Sequence, residues 1–442
     1  MFYICESDQN LDLLEKLVKP GCYVQIISNN DYLHPKLSST VAVFVGLLQN
    51  NKTYIIPIDH PDGLNVTKER VSRILSNSDM LYVLDKKELI YHFPITKSID
   101  IQLLHSMVNY EKIDNLTTID TISALYNKHR QVKDLNKLVP LVKLHEQSEA
   151  NFEIVKKYID IDIPEGFGFY NDTATAVFYL LEQQGLQIAP KEFEELFKPR
   201  DMKMSVENNI VYSKYNLYNN TSRPTNAFNS VNFAAIPKTQ AHREVFTPQN
   251  DMFVEFDFDG YHVRLLCDLI GYELTDESAH KQLAKVYFGK DNISEEEYKQ
   301  AKQINFHMMY GKIPEDKKHL DISQRIQKFI DDLWTVYQNT GKIQNPHTGK
   351  VFSNKLPDMN PQKLMNYLMQ SVETSRNIKI LKNILRTLKT YETSVALYTY
   401  DSVLFDFKKT DTVRALHEIE EVLSENGKYP VNYKHSKNLY LD

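Results

Sequence analysis

Two aspartates, far apart in the chain, stand where a side chain would project from the end of a sheet. Residues 254–266 begin as a strand, because Val254 and Phe256 alternate with acidic residues in a half-buried pattern. The strand ends in a turn at Gly260, and the apolar residues then change to helical spacing. Asp257 at this corner would be held rigidly and face a cleft, which suits a metal ligand. The alternative is an ordinary turn aspartate.

Asp401 is the second aspartate. Two apolar runs, 395–400 and 403–407, flank the pair Asp401–Ser402, which predicts a tight hairpin with Asp401 at its tip. Aspartate is a common turn former, so this position alone indicates no function. It gains a function only if the fold brings Asp401 close to Asp257.

The segment between them, 294–311, is predicted to be a helix. It opens with a Ser-x-x-Glu capping box and stops at Gly311. Lys302, Phe306 and Tyr310 are spaced i, i+4, i+8 and therefore share one face. Such a face could hold a triphosphate at its basic end and stack its rings on a sugar and a base. The alternative is an amphipathic helix with a half-buried aromatic stripe.

Together these three stretches resemble family A DNA polymerases, the DNA polymerase I-like group. Residues 257–264 match that family's motif A in the first Asp and the last Arg, and residues 302–311 match motif B. Residues 400–402, Tyr-Asp-Ser, fall where the family has His-Asp-Glu. The supporting matches lie in the same order as in the family: 221–223, 232–237, 349–350, 356–358, the pair Asn366 and Gln370, and 429–431.

The resemblance implies an α+β multidomain fold. It would be a right-hand polymerase, with an antiparallel-sheet palm and helical fingers and thumb, preceded by an α/β ribonuclease H-like exonuclease-type domain. We expect a short, phage-type form of the family. The implied domains are 1–125 (exonuclease-like), 126–215 (thumb), 216–274 (palm, first part), 275–345 (fingers) and 346–442 (palm, second part).

The resemblance also implies the reaction, in which a primer 3′-hydroxyl attacks the α-phosphate of an incoming nucleotide. Two Mg²⁺ ions, with Mn²⁺ as a substitute, would be held by Asp257, Asp401 and the carbonyl of Phe258. Lys302 would neutralise the phosphates. The implied nucleotide-binding residues are Tyr298, Lys299, Phe306, Tyr310 and His262. The implied DNA-binding residues are Arg223, Arg264, Asn366, Gln370 and Tyr400.

Several positions depart from the family pattern. Tyr298 stands where the family has Arg, and His262 stands where a Glu screens the ribose 2′-hydroxyl. Tyr400 and Ser402 replace the His and Glu beside the second aspartate. A polymerase with relaxed sugar selection, which also accepts NTPs, is therefore one alternative, and a non-catalytic primer–template-binding protein is another. The intact carboxylates and Lys302 favour a catalyst, since a pure binding module has no use for such carboxylates.

The first 125 residues are predicted to be an α/β unit, with strands at 22–28, 41–48, 53–58 and 80–84 and a helix at 68–76. An active exonuclease of this kind needs Asp-x-Glu at the end of its first strand. That strand ends here in Ser28-Asn29-Asn30, so we expect an inactive scaffold without proofreading. Residues 126–215 are predicted to be mainly helical, at 139–159, from Asn171 or Asp172 to Gly185, and at 191–198.

Composition narrows the class of protein further. The chain has 442 residues, 42% of them hydrophobic, enough for several domains with substantial cores. Three cysteines without a CxxC pair argue against a disulfide scaffold or zinc site. We find no signal peptide or membrane span and expect a cytoplasmic protein, in the host cytoplasm if phage-encoded. We expect a monomer that binds primer–template DNA and dNTPs, with any processivity partner left open.

Overall fold

The computed structural model describes residues 2–113, 116, 132–197, 205–226, 231–275 and 277–441. The chain divides into two compact units. The first unit comprises Met1–Gln183, Phe197–Tyr218 and Asn226–Val231, and the second comprises Gln184–Leu196, Asn219–Thr225 and Asn232–Asp442. The four boundaries between the five predicted domains remain predictions, and the one between residues 125 and 126 lies outside the described residues.

The first unit is built on a six-stranded mixed sheet. Its strands are β1 (Phe2–Ile4), β2 (Cys22–Ser28), β3 (Thr40–Leu47), β4 (Thr53–Pro57), β5 (Leu81–Val83) and β6 (Ser98–Asp100), in the order β1-β4-β3-β2-β5-β6. β2 runs antiparallel to β3 and parallel to β5. All residues of β3 and β4 are buried, as their continuous apolar runs predict for strands covered on both faces.

Helices cover this sheet. They are α1 (Asp8–Leu17), α2 (Lys68–Ser76), α3 (Lys86–His92), α4 (Ile101–Asn109) and α5 (Leu141–Ile159), followed by a π-helix (Phe169–Ala174) that continues into α6 (Thr175–Leu181). The predicted strands and the helix at 68–76 are confirmed to within two residues, whereas β1, β6, α1, α3 and α4 were not predicted. The first unit also contains the short strands β8 (Val206–Glu207), β9 (Ile210–Val211) and β10 (Tyr215–Asn216).

The prediction that Asn171 or Asp172 caps a helix is wrong, because both lie inside the π-helix. Asn171 instead binds the end of β6: its amide donates to Ser98 O at 2.9 Å and accepts from the Asp100 N–H at 3.0 Å. Its side chain thus satisfies sheet-edge groups, a role that depends on tertiary position.

The second unit is built on a four-stranded antiparallel sheet in the order β16-β17-β13-β18. Its strands are β13 (Met252–Phe258), β16 (Ser394–Thr399), β17 (Ser402–Phe407) and β18 (Val431–Ser436). The predicted strand and hairpin are confirmed, with the turn at Tyr400–Asp401. The smaller strands are β7 (Leu186–Ile188) paired with β12 (Phe246–Thr247), β11 (Thr225–Asn226) at the boundary of the units, and the hairpin β14 (Lys342–Gln344) and β15 (Val351–Ser353).

The helices of the second unit are α7 (Pro190–Leu196), α8 (Gln240–Glu244), α9 (Tyr261–Ile270), α10 (Ala279–Phe288), α11 (Glu295–Met309), α12 (Asp321–Thr340), α13 (Pro361–Thr387) and α14 (Thr412–Ser424). The long α13 packs against α9, α12 and α14. Among the helices that the structure describes, none has both the length and the apolar character that crossing a bilayer requires.

Candidate active site

The sheet of the second unit brings Asp257 and Asp401 to one edge. Asp257 is the penultimate residue of the central strand β13, opposite Ser402 on β17 and Asn432 on β18. Asp401 lies in the turn that joins β16 to β17, and its carbonyl accepts the Phe258 N–H at 3.1 Å. The register therefore places the two aspartates on adjacent strand ends, which meets the condition that the sequence left open.

The turn after β13 needs its glycine. Gly260 has φ +56° and caps α9, and a Cβ there would lie 2.9 Å from the Cβ of Ala279. Both the backbone conformation and the close approach of α10 therefore exclude larger residues. The tight turn lets α9 start directly behind Asp257.

Both carboxylates are exposed, and they line two adjoining pockets of about 470 and 910 Å³. Asp257 also lies close to buried parts of the protein. This partial loss of solvent around its carboxylate, and next the charge of Asp401, raise the pKa of Asp257 to about 6. Neither carboxylate has a salt bridge within the described part of the chain. The site is thus a like-charge pair that forms no direct ion pair with a cation among the described residues.

Such a donor set fits a divalent oxygen-seeking cation. The two carboxylates and the carbonyl of Phe258 are hard oxygen ligands, which Mg²⁺ prefers, and Phe258 is one of the residues that line the smaller pocket. A cation would relieve the repulsion between the two carboxylates. Across the described ranges, no group of three or more His, Cys, Asp or Glu side chains is placed to hold a metal. The remaining ligands would therefore be phosphate and water oxygens.

Helix α11 forms the opposite wall of the smaller pocket. Its capping box at Ser294 and Glu297 is present as predicted. Lys302, Phe306 and Tyr310 all line the pocket, so the predicted shared face is confirmed.

The side chains on this face contact one another. The Lys302 ammonium lies 4.7 Å from the centre of the Tyr298 ring, which also lines the pocket. The ring centres of Phe306 and Tyr310 are 4.7 Å apart, and Phe306 is 54% exposed. Lys299 is exposed and is not among the residues that line the pocket, so the structure does not bring it to the predicted nucleotide site.

His262, also in the wall of the smaller pocket, contacts a carboxylate that the sequence analysis did not single out. Its Nε2 lies 3.1 Å from Oε2 of Glu373 on α13, and Arg223 Nε lies 3.4 Å from the same oxygen. Burial lowers the pKa of His262, but the Glu373 carboxylate outweighs this and leaves that pKa above its ordinary value. Arg223 also stacks on Tyr400, with its guanidinium 3.8 Å from the ring centre.

Two buried polar residues hold these loops in place. The Asn377 amide on α13 donates to the Tyr400 carbonyl at 2.8 Å and accepts from the Tyr261 hydroxyl at 2.5 Å. Lys350, after the β14 strand, donates to the Ser222 hydroxyl next to Arg223, and burial lowers its pKa to about 7. The residue types of Asn377 and Lys350 did not indicate these contacts in the sequence.

The prediction that Arg264 contacts DNA is corrected by the structure. Arg264 is 6% exposed, and its guanidinium donates to the carbonyl and carboxylate of Asp259 and to the carbonyls of Thr275 and Glu277. Asp259 in turn accepts the Ala279 N–H at 3.0 Å. Arg264 therefore joins the turn after β13 to the start of α10.

Asn366 and Gln370 lie on α13, with the Gln370 amide donating to Asn366 at 3.1 Å. Both are partly exposed, but neither lines the two pockets around the aspartates. The structure thus leaves them accessible and apart from the carboxylates.

The larger pocket contains charged residues that the sequence analysis did not assign. Lys238, Arg243 and Lys434 line it together with Glu255, which accepts the Ser402 hydroxyl at 3.2 Å. Glu255 precedes Asp257 by two residues on a strand and so shares its face. This spacing could have identified Glu255 from the sequence. The three cations could not be identified in this way, because they come from separate segments of the chain.

The described fold is similar to that of a solved DNA polymerase domain. Among solved structures the chain is similar to the POL domain of Pol1 from M. smegmatis, in complex with DNA primer-template and dNTP, with a TM-score of 0.67. The match covers 100% of this chain and 99% of that chain at 12% sequence identity, so the likeness is one of fold. No protein-family model and no curated protein matches the chain.

Proposed function

We propose that the protein is a template-directed DNA polymerase of the DNA polymerase I-like family, which adds dNTPs to a primer 3′-hydroxyl. One observation carries the proposal: two unpaired aspartates on adjacent strand ends face a helix that presents a lysine and two aromatic rings across one pocket. The fold supports it, since the similar M. smegmatis domain was solved with DNA primer-template and dNTP. The pocket of about 470 Å³ is within the range that small-molecule ligands occupy.

Each wall of the pocket has a part in the proposed reaction. Asp257 and Asp401 would hold Mg²⁺ ions, which supply charge neutralisation and an activated primer hydroxyl. Lys302 neutralises the triphosphate, and its stacking on Tyr298 holds the ammonium toward the pocket. Phe306 and Tyr310 offer ring faces to the sugar and base. Positioning and charge neutralisation then carry most of the rate enhancement.

DNA would be bound by the larger pocket and the side chains around it. Lys238, Arg243 and Lys434 provide positive charge beside the carboxylates, which suits the phosphates of a primer strand. Tyr400 directly precedes Asp401 in the chain, and Arg223 stacks on the Tyr400 ring. These two side chains would contact the primer end. Asn366 and Gln370 keep partly exposed amides for the duplex.

We also propose that the first unit is an exonuclease-like scaffold without activity. Its central strand β2 ends at Ser28 and is followed by Asn29 and Asn30, and all three residues are nearly fully buried. Asn29 accepts the Ser39 N–H at 2.9 Å, so this amide serves the fold. Asp100 accepts the Lys86 N–H, the Leu103 N–H and the Tyr218 hydroxyl, and is likewise engaged within the unit.

A second candidate function, acceptance of NTPs as well as dNTPs, is favoured by His262. The imidazole lies in the pocket wall and can hydrogen-bond a hydroxyl in either charge state, so a ribose 2′-hydroxyl is not excluded by charge. We expect dNTPs to remain preferred, because Tyr261, His262 and Phe306 narrow the pocket.

Primer extension with Asp257→Asn and Asp401→Asn tests the proposal. Each change keeps the shape and removes the negative charge of one cation ligand, so the extension rate should fall about a thousandfold or more while primer–template affinity stays close to wild type. The matched control is Asp251→Asn, an exposed aspartate just before β13 that accepts the Lys409 N–H. Extension by either site variant within tenfold of wild type would refute the assignment.

A further inference from the structure

Glu373 is a fully buried carboxylate in the middle of α13, with a relative exposure of 0%. Its Oε2 has no aligned hydrogen-bond partner among the described residues, and neither have His262 Nε2 and Arg223 Nε, which lie 3.1 and 3.4 Å from it. Its other oxygen, Oε1, accepts from Arg223 Nη2 at 3.5 Å. Charge at short distance, more than linear hydrogen bonds, therefore holds these three side chains together.

The three side chains come from separate elements. Glu373 shares one face of α13 with Asn366, Gln370 and Asn377, at the spacing i, i+4, i+7 and i+11. Asn377, one turn further on, holds the turn that carries Asp401. This face of α13 thus contacts the turn that carries Asp401, His262 in the pocket wall, and Arg223.

We propose that Glu373 is a positioning residue that couples nucleotide selection to the primer end, by holding His262 and Arg223 with one carboxylate. The inference rests on the proposed polymerase function. His262 lines the nucleotide pocket, while Arg223 stacks on Tyr400 beside Asp401. Because the carboxylate is out of water, its charge is compensated only while both partners stay close, so neither can move without affecting the other.

A purely structural ion pair is the competing explanation. Replacing a buried carboxylate always risks stability, so loss of activity alone would not separate the two explanations. The ratio of dNTP to NTP incorporation efficiency does separate them. Both efficiencies are measured on one preparation, so the fraction of inactive protein cancels from their ratio.

The decisive variant is Glu373→Gln, which keeps the volume and removes the charge. We expect the dNTP-to-NTP efficiency ratio to fall about tenfold, because His262 loses its contact with a charged group and gains freedom to admit a 2′-hydroxyl. In a His262→Ala background the same change at Glu373 should leave the ratio unaltered, since Glu373 acts on the sugar through His262. Glu373→Asp, which keeps the charge, should recover part of the ratio.

The matched control is Glu182→Gln in the first unit. Glu182 is also 0% exposed and paired with a cation, Lys87, and it should lose stability without changing the ratio. If Glu373→Gln leaves the ratio within twofold of wild type, or lowers it equally in the His262→Ala background, the inference is overturned. A wild type that fails to extend any primer would instead refute the polymerase function itself.

Discussion

Asp257 and Asp401 show how two ordinary carboxylates become a site. Each alone would be a turn residue. In the fold, burial and then the charge of Asp401 raise the pKa of Asp257 to about 6, and neither carboxylate forms a salt bridge among the described residues. Because the pKa of Asp257 is raised in the folded protein, ionising Asp257 above that pH costs folding stability, and a divalent cation at the site would offset this cost. A protein tolerates such an arrangement where a ligand relieves it.

Phe306 is a further test at the scale of single residues. It is 54% exposed in the pocket, so Phe306→Ala should change the free energy of unfolding by less than about 0.5 kcal/mol. Loss of a stacking surface should raise KM for dNTPs about tenfold. Steady-state kinetics and thermal unfolding check both effects, with Val336→Ala, an exposed apolar residue on α12, as the control. An unchanged KM would remove Phe306 from the nucleotide site.

At the scale of elements, the site depends on how helices hold the strand ends. The antiparallel register of β13 and β17 sets the spacing of the two aspartates, and α13 supports the turn from behind through Asn377. Helix α11 brings its cation and rings from the other side. Its capping box fixes where the helix begins, and therefore which residues face the pocket.

Asn377→Ala should uncouple the turn from α13. Removing a buried amide with three partners should lower the free energy of unfolding by about 1–3 kcal/mol and lower kcat, because the Tyr400–Asp401 turn loses its support. Asn345→Ala is the matched control, since that buried amide also donates to α13, at Ser371 and Ser375, away from the turn. Equal kcat values for folded Asn377→Ala and wild type would show that the turn needs no such support.

At the scale of the whole molecule, the two units differ in how far they expose the ionisable groups considered for catalysis. The second unit leaves Asp257 and Asp401 exposed in a pocket. The first unit encloses its polar groups: Lys87 binds the buried Glu182, and Asp100, whose pKa burial and the Asp85 charge raise to about 7, accepts three hydrogen bonds. These groups are engaged within the unit and offer little to a substrate.

The first unit should accordingly lack 3′→5′ exonuclease activity. Purified protein, incubated with Mg²⁺ and a 5′-labelled single strand in the absence of nucleotides, should leave the strand at full length, because the Asp-x-Glu motif is missing at the end of β2. The same preparation must extend an annealed primer, which shows that it is folded. Mg²⁺-dependent shortening that persists through repeated purification would contradict the inactive scaffold.

Local sequence patterns determined the elements that carry the site. Alternation marked β13, two apolar runs marked the hairpin, and Ser294 with Glu297 marked the start of α11, because each signal depends on neighbouring residues and is independent of the rest of the fold. The i, i+4, i+8 spacing likewise placed Lys302, Phe306 and Tyr310 on one face. These are the residues for which prediction and structure agree.

Only the tertiary structure decided which side chains meet across elements. Arg264 matches a motif but is enclosed by Asp259 and two carbonyls, while Glu373, in an unremarkable stretch of a long helix, holds His262 and Arg223. The physical reason is that a charge interacts with whatever lies near it in space. Glu373 comes within 4 Å of both Arg223 and His262 only because α13 packs against α9 and the neighbouring loop.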